Sequence, residues 1–177
     1  MDFTFVPIQN GTGTFDVPYI EDARADFAPY YDIRNKTVQA AQLEVTNELS
    51  KFGAGVLNFE PGKFLFGKKE RYGFNVRFSY GGGTGIIRVA GLPIKNQATE
   101  KKIKRVQIQA LMNVRDWLKA AVTNRVFSPG SDVLIPFMLV DETPGQEKTV
   151  AEYIATMKQL PHFNPHPERA IMLGPGR

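Results

Sequence analysis

The sequence predicts an α+β fold, in which a small antiparallel sheet of three to five strands packs against two main helices. In two segments, apolar residues recur every three or four positions, which is the period of a helix with one buried face. Between these segments, apolar and polar residues alternate and glycines interrupt the pattern, which is typical of strands joined by turns. The predicted order of elements is therefore α-β-β-β-α.

Length and composition set the class of protein. The chain has 177 residues, of which 42% are hydrophobic and 23% charged, as expected of one globular domain. It contains no cysteine, which excludes disulfides, thiolate metal sites and a cysteine nucleophile. No apolar run reaches the roughly 18 residues that a membrane-spanning helix needs, and the N-terminus lacks the pattern of a secretion signal. We expect a cytoplasmic protein without a membrane partner.

Periodicity and proline content divide the chain into three parts. Residues 1–34 mix aromatic residues with prolines and acids, so we expect an extended arm. Residues 35–160 carry the periodic segments and are expected to form the single domain. Residues 161–177 contain four prolines and predict an extended tail.

The first helix is expected at about residues 36–52. Its apolar stripe consists of Val38, Ala41, Val45, Leu49 and Phe52, at spacings of three and four. Asn35 or Thr37 can cap its start, and the glycines at 53 and 55 can end it.

Strands are expected after this helix. The short apolar segments Leu57–Glu60 and Lys63–Phe66 stand on either side of Pro61-Gly62, where we expect a loose turn. The clearest strand is Arg71–Tyr80, where aromatic or aliphatic residues occupy every second position. A glycine run then predicts a turn into a further strand, Gly85–Leu92.

The expected strand pairing brings two arginines together. If Tyr80 pairs with Gly85, then Arg77 lies directly opposite Arg88 on the outer face of the sheet. Like charges facing each other across a ladder are destabilising. An acid such as Glu60, or a bound anion, would offset this repulsion. The pair is therefore a specific indication of an anion site.

The second helix is expected to be long, at about residues 97–124. Its core stripe consists of Ile103, Val106, Ala110, Val114, Trp117, Leu118 and Ala121. Basic residues, including Arg115, lie on the opposite side of the helix, and Ile108 and Met112 lie between these basic residues. Apolar side chains in such a place are expected to be buried, either by the C-terminal segment or by another subunit. Together with the arms, this patch predicts a homo-oligomer.

The segment after the long helix is expected to be less regular. Residues 127–147 predict a loop around the apolar run Val133–Val140, which forms a short edge strand or an extended buried segment. Thr149 and Glu152 have the spacing of a capping box, which predicts a short helix at about 149–159.

Few side chains suited to catalysis are present. The two histidines, His162 and His166, are flanked by prolines that prevent a helix from placing both on one face, so we expect no metal site. No serine lies in a nucleophile motif. The glycine run 81–85 leads into a strand, whereas a phosphate-binding loop leads into a helix. We expect neither catalytic activity nor a cofactor.

The positive charge is concentrated in one stretch of the chain. The formal net charge is only +4, but residues 61–110 contain eleven bases and two acids and so carry +9. Residues 1–30 contain one base and five acids and carry −4. This asymmetry predicts a polyanionic partner, and the acidic arm could neutralise the basic stretch in the unbound protein.

Nucleic acid is the polyanion that we expect. The candidate binding residues are bases on consecutive elements, together with two tyrosines at strand ends that could stack on nucleobases. They are Lys63, Lys68, Lys69, Arg71, Tyr72, Arg77, Tyr80, Arg88, Lys101, Lys102, Lys104 and Arg105. Phe64 and Phe66 are further stacking candidates. The bases from Lys101 to Arg105 begin the long helix, where N–H groups and cations would act on one phosphate.

The order of elements resembles that of a double-stranded-RNA-binding domain over residues 36–120, with bases at the start of the last helix. In that family, glycines and a Ser-Lys-Lys sequence lead into this helix, whereas Leu92-Pro93-Ile94 stands there in this chain. The chain is therefore not assigned to the family.

The sequence predicts a non-enzymatic protein that binds nucleic acid with little sequence specificity, because phosphate contacts carry no sequence information. Single-stranded DNA or RNA is favoured over duplex, since no basic helix has the pattern of a groove-insertion element. The alternative is a structural or interaction subunit, such as a viral one, that self-associates or binds an acidic protein. A third alternative is an enzyme whose site consists of carboxylates alone.

Overall fold

The computed structural model describes residues 17–24, 30, 33–66, 69–127, 132–144 and 146–158, which form an α+β fold. The main elements are α1 (Val38–Ser50), β1 (Gly55–Phe66), β2 (Lys69–Tyr80), β3 (Gly83–Ala90) and α2 (Glu100–Phe127). The three strands form one antiparallel sheet in the order β1-β2-β3. The predicted fold class and the order α-β-β-β-α are confirmed.

Helix α1 forms where its apolar stripe was predicted. The hydroxyl of Thr37 accepts a hydrogen bond from the amide of Ala40 at 3.1 Å and so caps the first turn. Three residues of the stripe, Ala41, Val45 and Leu49, are fully buried in the core. Gly53, with a φ of +80°, follows the helix and lets the chain turn towards β1.

Strand β1 is continuous, so the predicted turn at Pro61-Gly62 is wrong. Residues 58–66 pair with β2 in an unbroken register. A proline is tolerated here because β1 is an edge strand, where one side of the backbone needs no ladder partner. Since no turn intervenes, Phe59 lies on the face that packs against the helices and Phe64 lies on the opposite face.

The register between β2 and β3 differs from the predicted one by two residues. Tyr80 pairs with Gly83 and not with Gly85. The reason is the turn, which needs only Gly81 and Gly82, both with positive φ. A shift of two residues keeps every side chain on its predicted face but changes its partner.

This register separates the two arginines of the outer face. Arg77 pairs with Ile86, and Arg88 pairs with Asn75. The prediction that Arg77 and Arg88 lie directly opposite each other is therefore wrong, and so is the repulsion inferred from it.

Helix α2 has 28 residues and is about 42 Å long at 1.5 Å per residue, as predicted. It packs against both α1 and the sheet, so its buried surface is wider than a single stripe. The buried residues are Val106, Ile108, Gln109, Ala110, Leu111, Met112, Val114, Leu118 and Ala121. Trp117, which was predicted in the core, is 37% exposed and packs edge-on against Phe137 at 5.3 Å.

Ile108 and Met112 are covered within the chain. They are 5% and 0% exposed and belong to the same core as α1 and the sheet. The apolar patch from which self-association was predicted is therefore absent from the surface of the described part.

The C-terminal unit, residues 132–144 and 146–158, lies beside β3. It contains a 3₁₀ turn at Ile135–Phe137, a two-stranded ladder of β4 (Leu139–Asp141) and β5 (Lys148–Thr149), and helix α3 (Val150–Lys158). A bridge between Gly85 and Met138 joins this unit to the main sheet. The predicted capping box is confirmed, because Thr149 and Glu152 exchange side-chain-to-backbone hydrogen bonds of 2.8 and 3.3 Å.

The described part of the N-terminal arm packs on its own domain. The amide of Ile20 donates to the carbonyl of Pro93 at 2.9 Å, and the Ile20 side chain packs with Leu92 and Val106. The rest of the predicted arm and the tail 161–177 lie outside the described residues. Within the described part of the chain, no helix has the length and apolar character needed to cross a membrane.

Candidate nucleic-acid interface

The two arginines of the outer sheet face contact acids of the C-terminal unit. Nη2 of Arg77 lies 2.7 Å from the Glu147 carboxylate, and Nη1 of Arg88 lies 2.6 Å from that of Glu152. Arg88 also donates to the backbone carbonyl of Glu147 at 3.1 Å. The acids that meet these arginines therefore follow the long helix and do not belong to the acidic arm.

Glu152 connects this contact to the start of α3. Burial favours the neutral form of its carboxyl, but hydrogen bonds from Thr149 and Arg88 outweigh that effect and hold its pKa below the ordinary value. The carboxylate thus caps the helix and holds Arg88 at the same time. These contacts attach the C-terminal unit to the sheet.

Most of the remaining predicted bases also have partners within the chain. The contacts are Lys63 with Glu70 (2.9 Å), Lys69 with the Val17 carbonyl (3.2 Å), Arg71 with the Gly91 carbonyl (2.6 Å), Lys102 with Glu21 (2.8 Å) and Lys104 with Glu100 (2.6 Å). Lys95, a base of the same stretch that was not among the predicted site residues, pairs with Asp22 (3.2 Å). The acidic arm therefore does neutralise part of the basic stretch, through Glu21 and Asp22. Lys68 and the side chain of Phe66 lie outside the described residues.

The two predicted stacking tyrosines are engaged in packing. Tyr72 packs against the small apolar cluster that contains Ile20 and Leu92. Tyr80 packs against the main core, and its hydroxyl donates to Asp132 at 2.5 Å. This hydrogen bond is the main reason that the pKa of Tyr80 is raised.

Three of the predicted bases, Lys101, Lys104 and Arg105, lie together at the start of α2. With Arg34 and Lys36, which precede α1, they line one cavity of about 830 Å³, here called the basic cleft. Among the described residues that line it, these five are positively charged and one, Glu100, is negatively charged. Ile33 and Ile108 supply apolar surface. Of the bases that were predicted from the sequence and are described in the structure, only these three therefore lie in this concave site.

Arg34 and Lys36 were not among the predicted site residues. They fall in a stretch of the sequence, residues 31–60, whose net charge is −1, so the charge count did not single them out. Their position in the sequence, just before a predicted helix, was the feature that could have identified them. Both lie within three residues before Thr37, the N-cap of α1, and this segment lines the cavity together with the first turns of α2.

An ionic network lies between the two helices near the cleft. Arg115 contacts Glu44 at 2.6 Å and the hydroxyl of Tyr30 at 2.8 Å, and Lys36 pairs with the same Glu44. The hydrogen bonds from Lys36 and Arg115 lower the pKa of Glu44. Arg115, which was predicted on the side of α2 opposite its core stripe, has a side chain that is only 16% exposed.

A second cavity of about 580 Å³ adjoins the basic cleft and is here called the Phe59 pocket. It shares Lys36, Lys104 and Ile108 with the cleft. Its remaining lining is mostly aromatic, aliphatic and amide side chains from α1, α2 and the inner face of β1. These include Phe59, Pro61, Phe74, Gln39, Gln42 and Gln107.

No group of three or more His, Asp or Glu side chains is placed to hold a metal ion within the described residues. The two histidines lie outside them. Comparison of the chain with protein-family models, with curated proteins and with solved structures finds no match.

Proposed function

We propose that this protein binds nucleic acid, preferably single-stranded, through the basic cleft and without catalysing a reaction. The observation that carries the proposal is the convergence of Arg34, Lys36, Lys101, Lys104 and Arg105 on one cavity. Among the described lining residues, Glu100 is the one acid and pairs with Lys104 at 2.6 Å, while Lys36 pairs with Glu44 of α1. A concave site with several cations concentrates polyanions, and phosphate groups are the commonest ligands of that charge.

The position of the cleft adds to its positive potential. It lies at the N-terminal ends of α1 and α2, where backbone N–H groups carry partial positive charge. The first turn of α1 contains no acidic residue to offset that charge, whereas the first turn of α2 contains Glu100. The cations and the helix ends therefore favour an anion at the same place.

The contacts of this site imply little sequence specificity. Lysine and arginine side chains would hold the phosphate backbone, which is the same in every sequence. The bases on the sheet, Arg77 and Arg88, support the proposal less directly, since they do not line the cleft and they hold acids of the C-terminal unit against the sheet. We assign the cleft as the primary site and the sheet arginines to the packing of the domain. The absence of cysteine is in keeping with a cytoplasmic protein.

The proposal is tested by fluorescence-anisotropy titration of the full chain. The probes are labelled DNA and RNA oligonucleotides of about 15 nucleotides, single-stranded and as duplexes. We expect saturable binding to the single strands that weakens at least about tenfold between about 50 and 200 mM salt. Tighter binding to duplexes than to single strands would show that duplex is the preferred ligand. No binding at the lower salt concentration would overturn the proposal.

A structural or interaction subunit remains the second candidate, and one observation favours it. β1 is an edge strand of twelve residues, and it exposes 59% of Leu57 and 73% of Leu65. An exposed strand edge with apolar side chains can pair with another chain. Sedimentation of the full chain at two concentrations tests for a homo-oligomer. A monomer at both, combined with salt-dependent nucleic-acid binding, would eliminate this candidate.

A further inference from the structure

The Phe59 pocket differs from the basic cleft in its chemistry, although the two cavities adjoin. The cleft is lined mainly by cations, whereas the pocket combines an aromatic ring, apolar side chains and amides. Lys36 and Lys104 line both. A nucleotide also joins a charged phosphate to a flat, apolar and hydrogen-bonding base. We propose that the Phe59 pocket accepts an unpaired nucleobase of a strand whose phosphates lie in the basic cleft, an inference that rests on the proposed function.

The ring of Phe59 is placed to stack on a base. It packs edge-on against Phe74, with the ring centroids 6.3 Å apart and the planes at 87°. Phe74 is 2% exposed and fixes this contact, while Phe59 is only partly buried and lines the cavity. A ring that packing already holds in place loses little freedom when a base stacks on it.

Amide side chains supply hydrogen bonds for the edge of the base. Gln39, Gln42 and Gln107 line the pocket, and within the described part of the chain no hydrogen bond engages their side-chain amides. Each amide offers two donors and an acceptor, and it can rotate to exchange them. The set therefore suits any nucleobase and agrees with the low sequence specificity of the cleft.

The size and position of the pocket select an unpaired base. Its volume of about 580 Å³ lies within the range of small-molecule sites in proteins. A base in a duplex would have to leave its stack to enter, at a cost of a few kcal/mol, whereas a single strand presents its bases at little cost. The pocket thus provides the preference for single strands that phosphate contacts alone cannot give.

The test compares two ligands of equal charge on the wild-type chain. One is a single-stranded DNA of about 15 nucleotides, and the other is an abasic deoxyribose-phosphate chain of the same length. We expect the abasic chain to bind at least about fivefold more weakly at the same salt concentration. Equal affinity for the two would overturn the base pocket while leaving phosphate binding in the cleft intact. Failure of both to bind would instead overturn the proposed function.

Two variants test whether the base is bound in the Phe59 pocket. Phe59→Leu removes the ring from the pocket, and Phe64→Leu makes the same change on the opposite face of the same strand. We expect Phe59→Leu to weaken binding of the base-containing strand at least about threefold and to leave the abasic chain unaffected. Phe64→Leu should change neither. If Phe64→Leu has the larger effect, stacking occurs on the outer face and the assignment to the pocket is wrong. Circular dichroism melting verifies that both variants are folded, and the wild-type comparison stands whatever their stability.

Discussion

A few glycine positions decide the register of the sheet, and Gly85 shows how. It pairs with Phe78, whose ring lies directly over it, so that a Cβ atom at Gly85 would stand 2.3 Å from that ring. Because Phe78 is fully buried, the ring has no space to move away. The sequence shows a glycine run and predicts a turn, but it does not show which glycine lies beneath an aromatic ring. The predicted register was wrong by two residues because the turn takes only Gly81 and Gly82, which places Gly85 opposite Phe78.

Replacing this glycine should destabilise the protein measurably. Gly85→Ala forces the buried ring of Phe78 to shift, and such overpacking costs about 1–3 kcal/mol of the free energy of unfolding. Gly62→Ala is the matched control, since a Cβ atom there meets nothing within 4 Å and its φ is compatible with alanine. We expect the control to lie within about 0.5 kcal/mol of wild type in urea unfolding. Equal losses of unfolding free energy in the two variants would show that overpacking against the ring of Phe78 is not the cause.

At the scale of elements, the sequence predicts what is local and misses what is distant. The helices α1 and α2, the cap at Thr37 and the capping box of α3 follow from spacing within a few residues, and all are present. The attachment of the C-terminal unit could not be predicted in this way. Arg88 and Glu152 are 64 positions apart, and only the folded sheet brings them together.

This attachment makes the stability of the protein depend on pH. The pKa of Glu152 is lowered in the folded protein, so its contribution is fully present above the ordinary glutamate value and is lost as the pH falls through the lowered one. We expect Glu152→Gln to reduce the free energy of unfolding by about 0.5–1 kcal/mol at neutral pH, since the carboxylate is half exposed. The difference from wild type should shrink towards pH 3.

Urea unfolding of both proteins between neutral pH and about pH 3 measures this effect. Glu142→Gln, an exposed glutamate of the same unit, is the control and should follow the wild-type curve. A difference between Glu152→Gln and wild type that stays constant with pH would mean that ionisation of Glu152 does not contribute.

At the scale of the whole molecule, the charge asymmetry of the sequence has two outcomes in the structure. Part of the basic stretch is neutralised internally, by Glu21, Asp22 and the acids of the C-terminal unit. Another part, at the start of α2, meets Arg34 and Lys36 in the basic cleft. Net charge along the chain predicted a polyanionic partner but could not predict this division, because it depends on which distant segments pack together.

The central claim, that the basic cleft binds nucleic acid, is tested most directly by one pair of charge reversals. Lys101 and Lys119 are both exposed lysines of α2, and among the described residues neither forms an ion pair, but only Lys101 lines the cleft. Anisotropy titration with the single-stranded probe should show that Lys101→Glu weakens binding about tenfold and lowers the salt slope by about one. Lys119→Glu should stay within about twofold of wild type. Equal effects of the two reversals, or no effect of Lys101→Glu, would contradict the cleft as the binding site.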